Sequence, residues 1–471
     1  MQLSASTQSQ PPEVRQTEVY RLSIFDAAGT AVLLEPEGDE YRLPKVEIPK
    51  FTRPAKEVTE TLRKSWHMSS VFLFSGLLQE WPEADYFAVL ESRDGLQLSP
   101  SGMTWFTIHH ALSNLLLLEE EHRAVKSSYR KAVNRVLSNP REPFCRIGWM
   151  RELEGCIQDL LRPRGIELKG FEQLNGCETF SLVRFDTTQR PVWFKAVGEP
   201  NLHEYPISLA LAGLLPKYVP NVLATKPEWR GWLMSDGGGT TLDEFQGPSA
   251  WQTALITLAN LQIDSVDVRN KLLEAGCRDL RAAALLELVD PFLDSMAELM
   301  SRQTKVPPSI LSRQELSNLG VTLKDALHCL GALGIPDTLG HGDFNPGNII
   351  VGPESCTFID WAEAHVGHPF LTFEYLISHL KKRYPGLLQL EEDIRSWYTL
   401  QWQRVLSPEQ ICEALSLTPL VAVFAYAVAG GAWHDQERLK IPQVPSYLRS
   451  LARRMKREAD SIQKRRVQCA Q

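Results

Sequence analysis

One proline- and glycine-rich turn carries polar side chains whose types and spacing could perform chemistry. Residues 339–363 read LGHGDFNPGNIIVGPESCTFIDWAE. Asp343 and Asn348 stand five residues apart in this turn, and Asp360 follows at the end of a second apolar run. Because aspartate, asparagine, glycine and proline are also the usual turn formers, a hairpin with polar turn residues is the simplest alternative. The rest of the chain decides between these two interpretations.

The three residues fit the transfer of a phosphoryl group from ATP to a hydroxyl. That reaction needs Mg²⁺ held by oxygen ligands, a cation on the phosphates and a carboxylate beside the attacking hydroxyl. In kinase catalytic loops an aspartate accepts the hydroxyl proton, an asparagine five residues later binds Mg²⁺, and a later strand-end aspartate binds Mg²⁺ as well. Asp343, Asn348 and Asp360 have this order and spacing. The spacing therefore predicts one catalytic base and two metal ligands.

The same reaction predicts a nucleotide-binding lysine and a supporting glutamate upstream of the turn. Lys195 lies in the apolar run VWFKAV, and Glu204 lies early in the next predicted helix. A lysine buried without a partner would cost several kcal/mol, which favours a functional pair. The alternative for Glu204 is an exposed first-turn residue favoured by the helix dipole. The run WLMSDGGG, with Met234 and Ser235, suits an adenine-binding hinge.

The elements that must position these residues fall into two predicted lobes. Residues 166–240 contain the strand-like runs FEQLNGCETFSLVRFD, PVWFKAVG, NVLATKPEW and GWLMSDGG, interrupted by the helical run LHEYPISLALAGLL. They predict a small antiparallel sheet. Residues 241–471 are predicted to be mostly helical, apart from the apolar pair LGHGDFNPGNIIV and CTFIDW. The fold class of this part is therefore α+β.

Two of these motifs resemble those of one known family. HGDFNPGNII is similar to the HGDxxxxN loop, and FIDWAEA to the IDWxxA strand, of the aminoglycoside phosphotransferase and choline kinase-like family. The resemblance covers roughly residues 166–440. It implies a bilobal protein-kinase-like fold, ATP and Mg²⁺ as cofactors with ATP in the cleft, and a small-molecule hydroxyl as acceptor.

The resemblance also implies roles for individual residues. Asp343 would be the catalytic base, and His341 would brace the loop around it. The remaining assignments are metal binding by Asn348 and Asp360, and nucleotide binding by Lys195, Glu204, Met234 and Ser235.

Three features depart from familiar kinase patterns. The turn LNGCETF, expected to cover the nucleotide, has only Gly176 in place of a full glycine set. Thr372 stands about where the family frequently has an aspartate that braces the catalytic loop. Trp361 and Ala362 replace the Phe-Gly pair of protein kinases, which favours the small-molecule branch of the fold.

The region before these lobes has a different pattern. Residues 17–118 read as strand, glycine turn, strand and helix, and resemble a small α/β Nudix hydrolase domain. The runs SVFLFSG, DYFAVLES and WFTIHHAL after this helix are also predicted to be strands. Thr61, Lys64 and Ser65 stand near the positions where that family has its metal-binding glutamates, so the domain is expected to be non-catalytic. An unrelated small α+β domain is the alternative. A disordered tail is expected at 1–16 and a helical connector at 119–165.

Composition limits the possible partners and compartment. The chain has 471 residues, is 43% hydrophobic and 23% charged, and carries a net charge of -7. A mildly acidic chain of this kind is not expected to be a dedicated nucleic-acid binder. Its eight cysteines form no CxxC motif, which favours a reducing, cytoplasmic compartment. The polar N-terminus does not resemble a signal peptide, and the apolar run from Leu417 is interpreted as a core helix rather than a membrane span.

The sequence therefore predicts an ATP- and Mg²⁺-dependent small-molecule kinase with an aminoglycoside-, choline- or sugar-like acceptor. The first alternative is a catalytically weak or inactive nucleotide-binding regulator, and a protein kinase is a more distant one. Acidic residues Glu363, Glu374 and Asp435 would suit an amine-bearing acceptor. His365 and His368 are interpreted as structural.

Overall fold

The computed structural model divides into two compact units, unit 1 (Met1–Leu202 and Val222–Asp236) and unit 2 (His203–Asn221 and Gly237–Gln471). The residues that the structure describes are 16–38, 40–77, 86–96, 99–100, 102–113, 117–133, 142–245, 247–353, 355–383 and 388–470. The predicted disordered tail lies almost wholly outside this part of the chain. This division into two units does not decide the predicted domain boundaries, which stay predictions.

The first part of unit 1 is a mixed sheet with a helix against it. Its strands are β1 (Thr17–Phe25), β2 (Ala31–Glu37), β3 (Glu40–Arg42), β4 (Lys45–Pro49), β5 (Ser70–Leu77), β6 (Tyr86–Ser92) and β7 (Thr104–Thr107). Its helices are α1 (Pro54–Trp66) and α2 (Ile108–Ser113). The main order is β3-β2-β1-β6-β5, with β4 paired to β1 and β7 paired to β2. Only β1 and β6 among these pairs run parallel within the described residues.

A side chain closes the turn between β1 and β2. The carboxylate of Asp26 accepts hydrogen bonds from the backbone N–H groups of Ala28, Thr30 and Ala31 at 3.1, 2.6 and 2.6 Å. Gly29 adopts φ +70°, which favours glycine. The predicted strand pair around a glycine turn is confirmed, as is the helix in α1.

The predicted strand WFTIHHAL is wrong in its second half. The chain is extended only as far as Thr107, and α2 follows at once. The Thr107 hydroxyl accepts a hydrogen bond from the His110 N–H at 3.3 Å, as a helix-capping residue does. This local cap ends the strand, although isoleucine and the aromatic residues before it favour extended structure.

The second part of unit 1 is the predicted antiparallel sheet with two helices beside it. The helices are α3 (Glu119–Val133) and α4 (Trp149–Leu161), and the strands are β8 (Leu168–Gly176), β9 (Ser181–Thr187), β10 (Val192–Ala196), β11 (Val222–Lys226) and β12 (Gly231–Ser235). Their order is β11-β12-β10-β9-β8. All the strands predicted in this region are confirmed.

The two parts of unit 1 are joined by a buried amide. Gln173 on β8 is 2% exposed; its Nε2 donates to the carbonyl of Phe72 at 2.9 Å, and its Oε1 accepts from the N–H of Phe72 at 2.8 Å. One apolar core includes Phe25 of the first sheet and Phe185 and Phe194 of the second. The relation of the first part to Nudix hydrolases stays a prediction.

Unit 2 is mainly helical, as predicted. Its helices are α5 (Glu204–Leu214), α6 (Pro248–Ser265), α7 (Arg269–Glu274), α8 (Ala282–Ser301), α9 (Arg313–Ala332), α10 (Phe370–Arg383), α11 (Leu388–Trp402), α12 (Pro408–Ala429), α13 (Gln436–Leu439) and α14 (Gln443–Ala470). The long helices α9 and α12 begin with capping boxes, at Ser312 and Ser407. The predicted α+β class is thus confirmed.

Two small sheets in unit 2 position the polar turn. Their strands are β13 (Thr240–Thr241), β14 (Arg278–Leu280), β15 (Thr338–His341), β16 (Ile349–Val351), β17 (Cys356–Phe358) and β18 (Ala364–Gly367), in the orders β13-β16-β17 and β14-β18-β15. The sequence indicated the runs around β15, β16 and β17 but not β13, β14 or β18. Strands of two to four residues are too short for a recognisable alternation.

Helix α12 contains the apolar run from Leu417. Among the described residues, α12 is the one helix whose length and composition would allow it to cross a membrane, and 61% of its most apolar window is buried inside the protein. This burial agrees with its interpretation as a core helix.

Candidate active site

The polar turn follows β15 and is held by its own side chains. After β15 ends at His341, the chain turns through a short 3-10 helix at Pro346–Asn348 and enters β16. The Asn345 side chain accepts a hydrogen bond from the Gly347 N–H at 2.9 Å and so caps this helix. Proline suits the first helical position because no N–H donor is required there. The interpretation as a polar turn is therefore correct for Asn345 and Pro346. The side chains of Asp343 and Asn348 do not form this cap and can have another role.

The Asp343 carboxylate is held by three side-chain donors. Its Oδ1 accepts hydrogen bonds from Tyr375 Oη at 2.7 Å and from Asn345 Nδ2 at 3.0 Å. Its Oδ2 accepts from Asn348 Nδ2 at 3.2 Å, and the same nitrogen donates to the Asp343 carbonyl at 2.9 Å. Burial, and next the contact with Asp343, raise the pKa of Tyr375 well above its usual value. Tyr375 therefore remains a protonated donor, and it fixes the orientation of the carboxylate.

His341 braces the turn through both ring nitrogens. It is 1% exposed; Nε2 lies 2.9 Å from the Ile359 carbonyl, and Nδ1 accepts a hydrogen bond from the Asp343 N–H at 3.3 Å. A carbonyl can only accept and an N–H can only donate, so the neutral tautomer with its proton on Nε2 satisfies both contacts. The backbone N–H of His341 donates to Thr372 Oγ1 at 2.9 Å. Thr372 thus contacts the loop at the place where the sequence suggested a bracing residue.

A backbone hydrogen bond holds the residue before Asp360 next to Asn348. The N–H of Ile359 donates to the Asn348 carbonyl at 3.1 Å. Asp360 itself adopts φ +66° and ψ +66°, a left-handed conformation that aspartate tolerates better than most residues with a Cβ atom. Such backbone strain is often stored at functional sites. The chain therefore turns sharply at the predicted metal ligand, immediately after β17.

The donor atoms at Asn348 and Asp360 fit a magnesium ion. The side-chain nitrogen Nδ2 of Asn348 donates to Asp343, so the side-chain oxygen Oδ1 is the atom left to bind a cation. Asp360 adds a carboxylate, and Mg²⁺ prefers oxygen ligands. Within the described residues no group of three or more His, Cys, Asp or Glu side chains could hold a metal ion. A few protein ligands suffice for Mg²⁺ when substrate phosphates and water supply the others.

The predicted nucleotide-binding residues are placed as follows. In unit 1, Lys195 lies on β10, is 8% exposed, and has its Nζ 6.0 Å from the centre of the Trp232 ring. Met234 and Ser235 are half-buried at the end of β12. In unit 2, Glu204 is the first residue of α5 and is 2% exposed, which excludes the alternative of an exposed first-turn residue. The roles of these four residues stay predictions.

A cavity in unit 2 opens onto the Asp343 carboxylate. Its volume is about 620 Å³, and Asp343 and Tyr375 both line it. Further lining residues that matter here are Arg278, Glu363, Arg438, Tyr426 and Tyr447. Tyr375, Arg278 and Arg438 could not be identified from the sequence, because none of them belongs to a motif with fixed spacing.

The three acids that were candidates for an amine-bearing acceptor all have partners within the protein. Glu363 forms an ion pair with Arg278. Glu374 is 5% exposed and lies 3.5 Å from Arg395. The Asp435 carboxylate accepts hydrogen bonds from the first turn of α13 and caps that helix. Only Glu363 of the three lines the cavity.

His365 and His368 are buried and neutral. Burial lowers the pKa of each imidazole to about 3, with His341 and Arg278 contributing at His365. His368 accepts a hydrogen bond from the Phe370 N–H at 3.3 Å, and the His365 ring packs closely against Gly340. At neutral pH neither ring carries the charge of an imidazolium, which agrees with a structural role.

Comparison with known proteins finds a match to one family model within the central part of the chain. Residues 202–386 match the model of a family described as the phosphotransferase enzyme family, APH. This segment contains the turn, Asp360 and α10, and lies within the range over which the sequence resembles that family. A comparison with curated proteins finds no match.

Several solved structures are similar to the chain at low identity. A choline kinase from Cryptosporidium parvum is 13% identical with a TM-score of 0.44, and covers 68% of this chain and 97% of its own. An ethanolamine kinase from Plasmodium vivax is 13% identical with a TM-score of 0.41, and covers 72% of this chain and 92% of its own. A macrolide 2'-phosphotransferase from Brachybacterium faecium is 15% identical with a TM-score of 0.39, and covers 64% of this chain and 96% of its own. The family match on residues 202–386 confirms the prediction of a phosphotransferase enzyme.

Proposed function

We propose that the protein transfers the γ-phosphate of ATP, with Mg²⁺, to a hydroxyl of a small polar molecule. The observation that carries the proposal is the Asp343 carboxylate, which three donors hold on the wall of a cavity of about 620 Å³. A cavity of this size is typical of small-molecule sites. The expected cytoplasmic location and the binding or packing role of a Nudix-like first domain are part of the same proposal.

In the proposed reaction, Asp343 orients the acceptor hydroxyl and takes its proton. The hydroxyl oxygen forms a bond to the γ-phosphorus, and the bond from that phosphorus to the β–γ bridging oxygen breaks. ADP leaves with the electron pair of the broken bond, and the proton passes from Asp343 to water. Asn348 and Asp360 would hold Mg²⁺, which neutralises charge on the phosphate oxygens when it is bound. Lys195 and Glu204 are proposed to contribute to nucleotide binding.

The replacement Asp343→Asn tests this role. Asparagine has the same shape but cannot accept the hydroxyl proton, so turnover should fall by roughly 10²- to 10⁴-fold. Binding of ATP should persist, because the proposed metal ligands are retained. The control is Asp290→Asn, which changes an exposed carboxylate of α8 that pairs with Lys324.

Phosphate transfer is measured as ADP release and as labelled acceptor, over a library of hydroxyl compounds. Asp290→Asn should behave as the wild type. Normal turnover in Asp343→Asn would show that Asp343 is not the base.

A further inference from the structure

We propose that the acceptor carries an anionic group, which Arg278 and Arg438 bind inside the cavity that contains Asp343. The inference rests on the proposed function, because it names the acceptor class of the same cavity. It also opposes the expectation of an amine-bearing acceptor.

Arg278 is fixed in the cavity by its strand. Arg278 on β14 pairs with His365 on β18, and His365 pairs with Gly340 on β15. Two strand spacings place the Arg278 backbone about 10 Å from Gly340, which is the residue before His341. The Arg278 side chain is 21% exposed and contacts Glu363 through Nη1. A guanidinium carries five N–H donors, so this contact leaves donors for a ligand.

Arg438 brings a second guanidinium to the cavity from α13. Its Nη1 donates to the Gly430 carbonyl at 2.7 Å, which is a contact without a countercharge. The pKa of Arg278 is lowered by burial and next by the charge of Arg438. The two guanidinium groups repel each other, and a bound anion would relieve this repulsion.

The charges around the cavity favour an anion over a cation. The acids among its described lining residues are Asp343 and Glu363. Glu363 pairs with Arg278, and the Asp343 carboxylate, which keeps its charge, is occupied by its three side-chain donors and by the acceptor hydroxyl. Among the described lining residues, Arg438 is thus the charged group whose contact is a backbone carbonyl rather than a countercharge. A cationic acceptor would therefore meet the like charge of Arg438. A planar guanidinium, by contrast, binds a carboxylate or a phosphate through two parallel hydrogen bonds.

The aromatic and small apolar residues of the cavity lining suit a carbon skeleton. The rings of Tyr375 and Tyr426 have centroids 5.9 Å apart, and Tyr447 Oη lies 3.3 Å from Tyr426 Oη. Ala422 and Ala425 of α12 also line the cavity, and their small side chains leave room beside these rings. An acceptor with a hydroxyl near Asp343, an apolar or ring-shaped middle and an acidic end therefore matches the cavity.

The first experiment compares binding of gluconate, glucose and glucosamine, which share a six-carbon skeleton and differ in charge. Inorganic phosphate is the fourth probe and separates a phosphate site from a carboxylate site. Binding to the full chain is measured by calorimetry or ligand-observed NMR, with wild type, Arg438→Gln and Arg438→Lys. The control is Arg302→Gln, because Arg302 is exposed at the end of α8 and pairs with Glu298.

We expect at least one anion to bind wild type and Arg302→Gln about tenfold more tightly than Arg438→Gln, with Arg438→Lys in between. Tighter binding of glucosamine than of either anion, or anion binding unchanged in Arg438→Gln, would overturn the proposal. So would the absence of anion binding in the wild type. Arg438 is exposed, so its replacement should not prevent folding.

A second measurement separates this proposal from the proposed function. The same probes and an amine-bearing set are tested as phosphate acceptors with ATP and Mg²⁺. Phosphorylation of amines but not of acids would disprove the anion site and leave the phosphotransferase intact. Anion binding that depends on Arg438, without phosphorylation of any compound, would preserve the anion site and count against the proposed reaction.

Discussion

Three side-chain hydrogen bonds hold the Asp343 carboxylate in one orientation, as a general base requires. Asn345 and Asn348 belong to the turn itself; the spacing HGDFNPGN predicted Asn348 as a metal ligand, but it did not predict the hydrogen bonds of these two residues to Asp343. Tyr375 lies 32 residues further along the chain and donates the shortest of the three side-chain hydrogen bonds to the carboxylate. Its contribution depends on how α10 packs against the turn, so no local pattern in the sequence could reveal it.

Removal of the Tyr375 hydroxyl should impair catalysis more than nucleotide binding. A hydrogen bond to a charged group contributes about 1.5–3 kcal/mol, so loss of orientation at Asp343 in Tyr375→Phe should lower kcat by about tenfold or more. The KM for ATP should stay nearly constant. Steady-state kinetics with a working acceptor measure both quantities.

Tyr218→Phe provides a matched control for this prediction. Tyr218 donates to Asp264 at 2.6 Å, which is the same kind of tyrosine–aspartate hydrogen bond outside the lining of the cavity. Equal values of kcat in the two variants would show that the Tyr375 contact has no specific role in the reaction.

At the scale of elements, α10 supports the turn at two points. Tyr375 donates a hydrogen bond to Asp343. Thr372, one helical turn earlier, accepts a hydrogen bond from the N–H of His341. Thr372 is 1% exposed, so water cannot replace it as an acceptor. The sequence suggested a bracing role at this position because a related family often has an aspartate there. The hydroxyl supplies the same acceptor without placing a second carboxylate near Asp343.

The replacement Thr372→Val should destabilise the turn. It leaves the His341 N–H buried without its acceptor, at a cost of about 1–3 kcal/mol in the free energy of unfolding. Urea unfolding measures this change, and Thr372→Ser should restore most of it because the hydroxyl is retained. Wild-type stability in Thr372→Val would contradict the bracing role.

Glu374 on the same helix makes stability depend on pH. Burial raises its pKa above the ordinary 4.5, although Arg395 acts in the opposite direction. A raised pKa in the folded state means that Glu374 contributes most stability below 4.5 and loses it as the pH rises through the folded value. The stability of Glu374→Gln relative to wild type should therefore increase as the pH rises from 4.5 towards neutrality.

Urea unfolding at a series of pH values tests this prediction. The control is Glu409→Gln, because a hydrogen bond from Ser407 lowers the pKa of the exposed Glu409 and reverses the expected direction. Parallel stability curves for wild type and Glu374→Gln would show that Glu374 does not carry the effect.

At the scale of the whole molecule, the sequence was informative where a pattern is local. The longer strands of both sheets in unit 1, most helices and the spacing from His341 to Asp360 could be predicted, whereas β3 and β4 were not. The errors at α2 and at the short strands β13, β14 and β18 come from a local cap and from strands too short to show a period. Arg278, Tyr375 and Arg438 meet in one cavity only because β14, α10 and α13 pack within the same unit, so their convergence could not be read from the chain.

The most direct test of the account is calorimetric titration of ATP, with and without Mg²⁺, into wild type and Asp360→Asn. Asparagine tolerates the left-handed conformation of position 360, so the replacement removes the charge with little added backbone strain. Asp290→Asn is the control. We predict that wild type and Asp290→Asn bind ATP more tightly with Mg²⁺ and that Asp360→Asn loses most of this gain. Equal binding by all three proteins, or binding that does not depend on Mg²⁺, would contradict the assignment of Asp360 and the proposed phosphotransferase site.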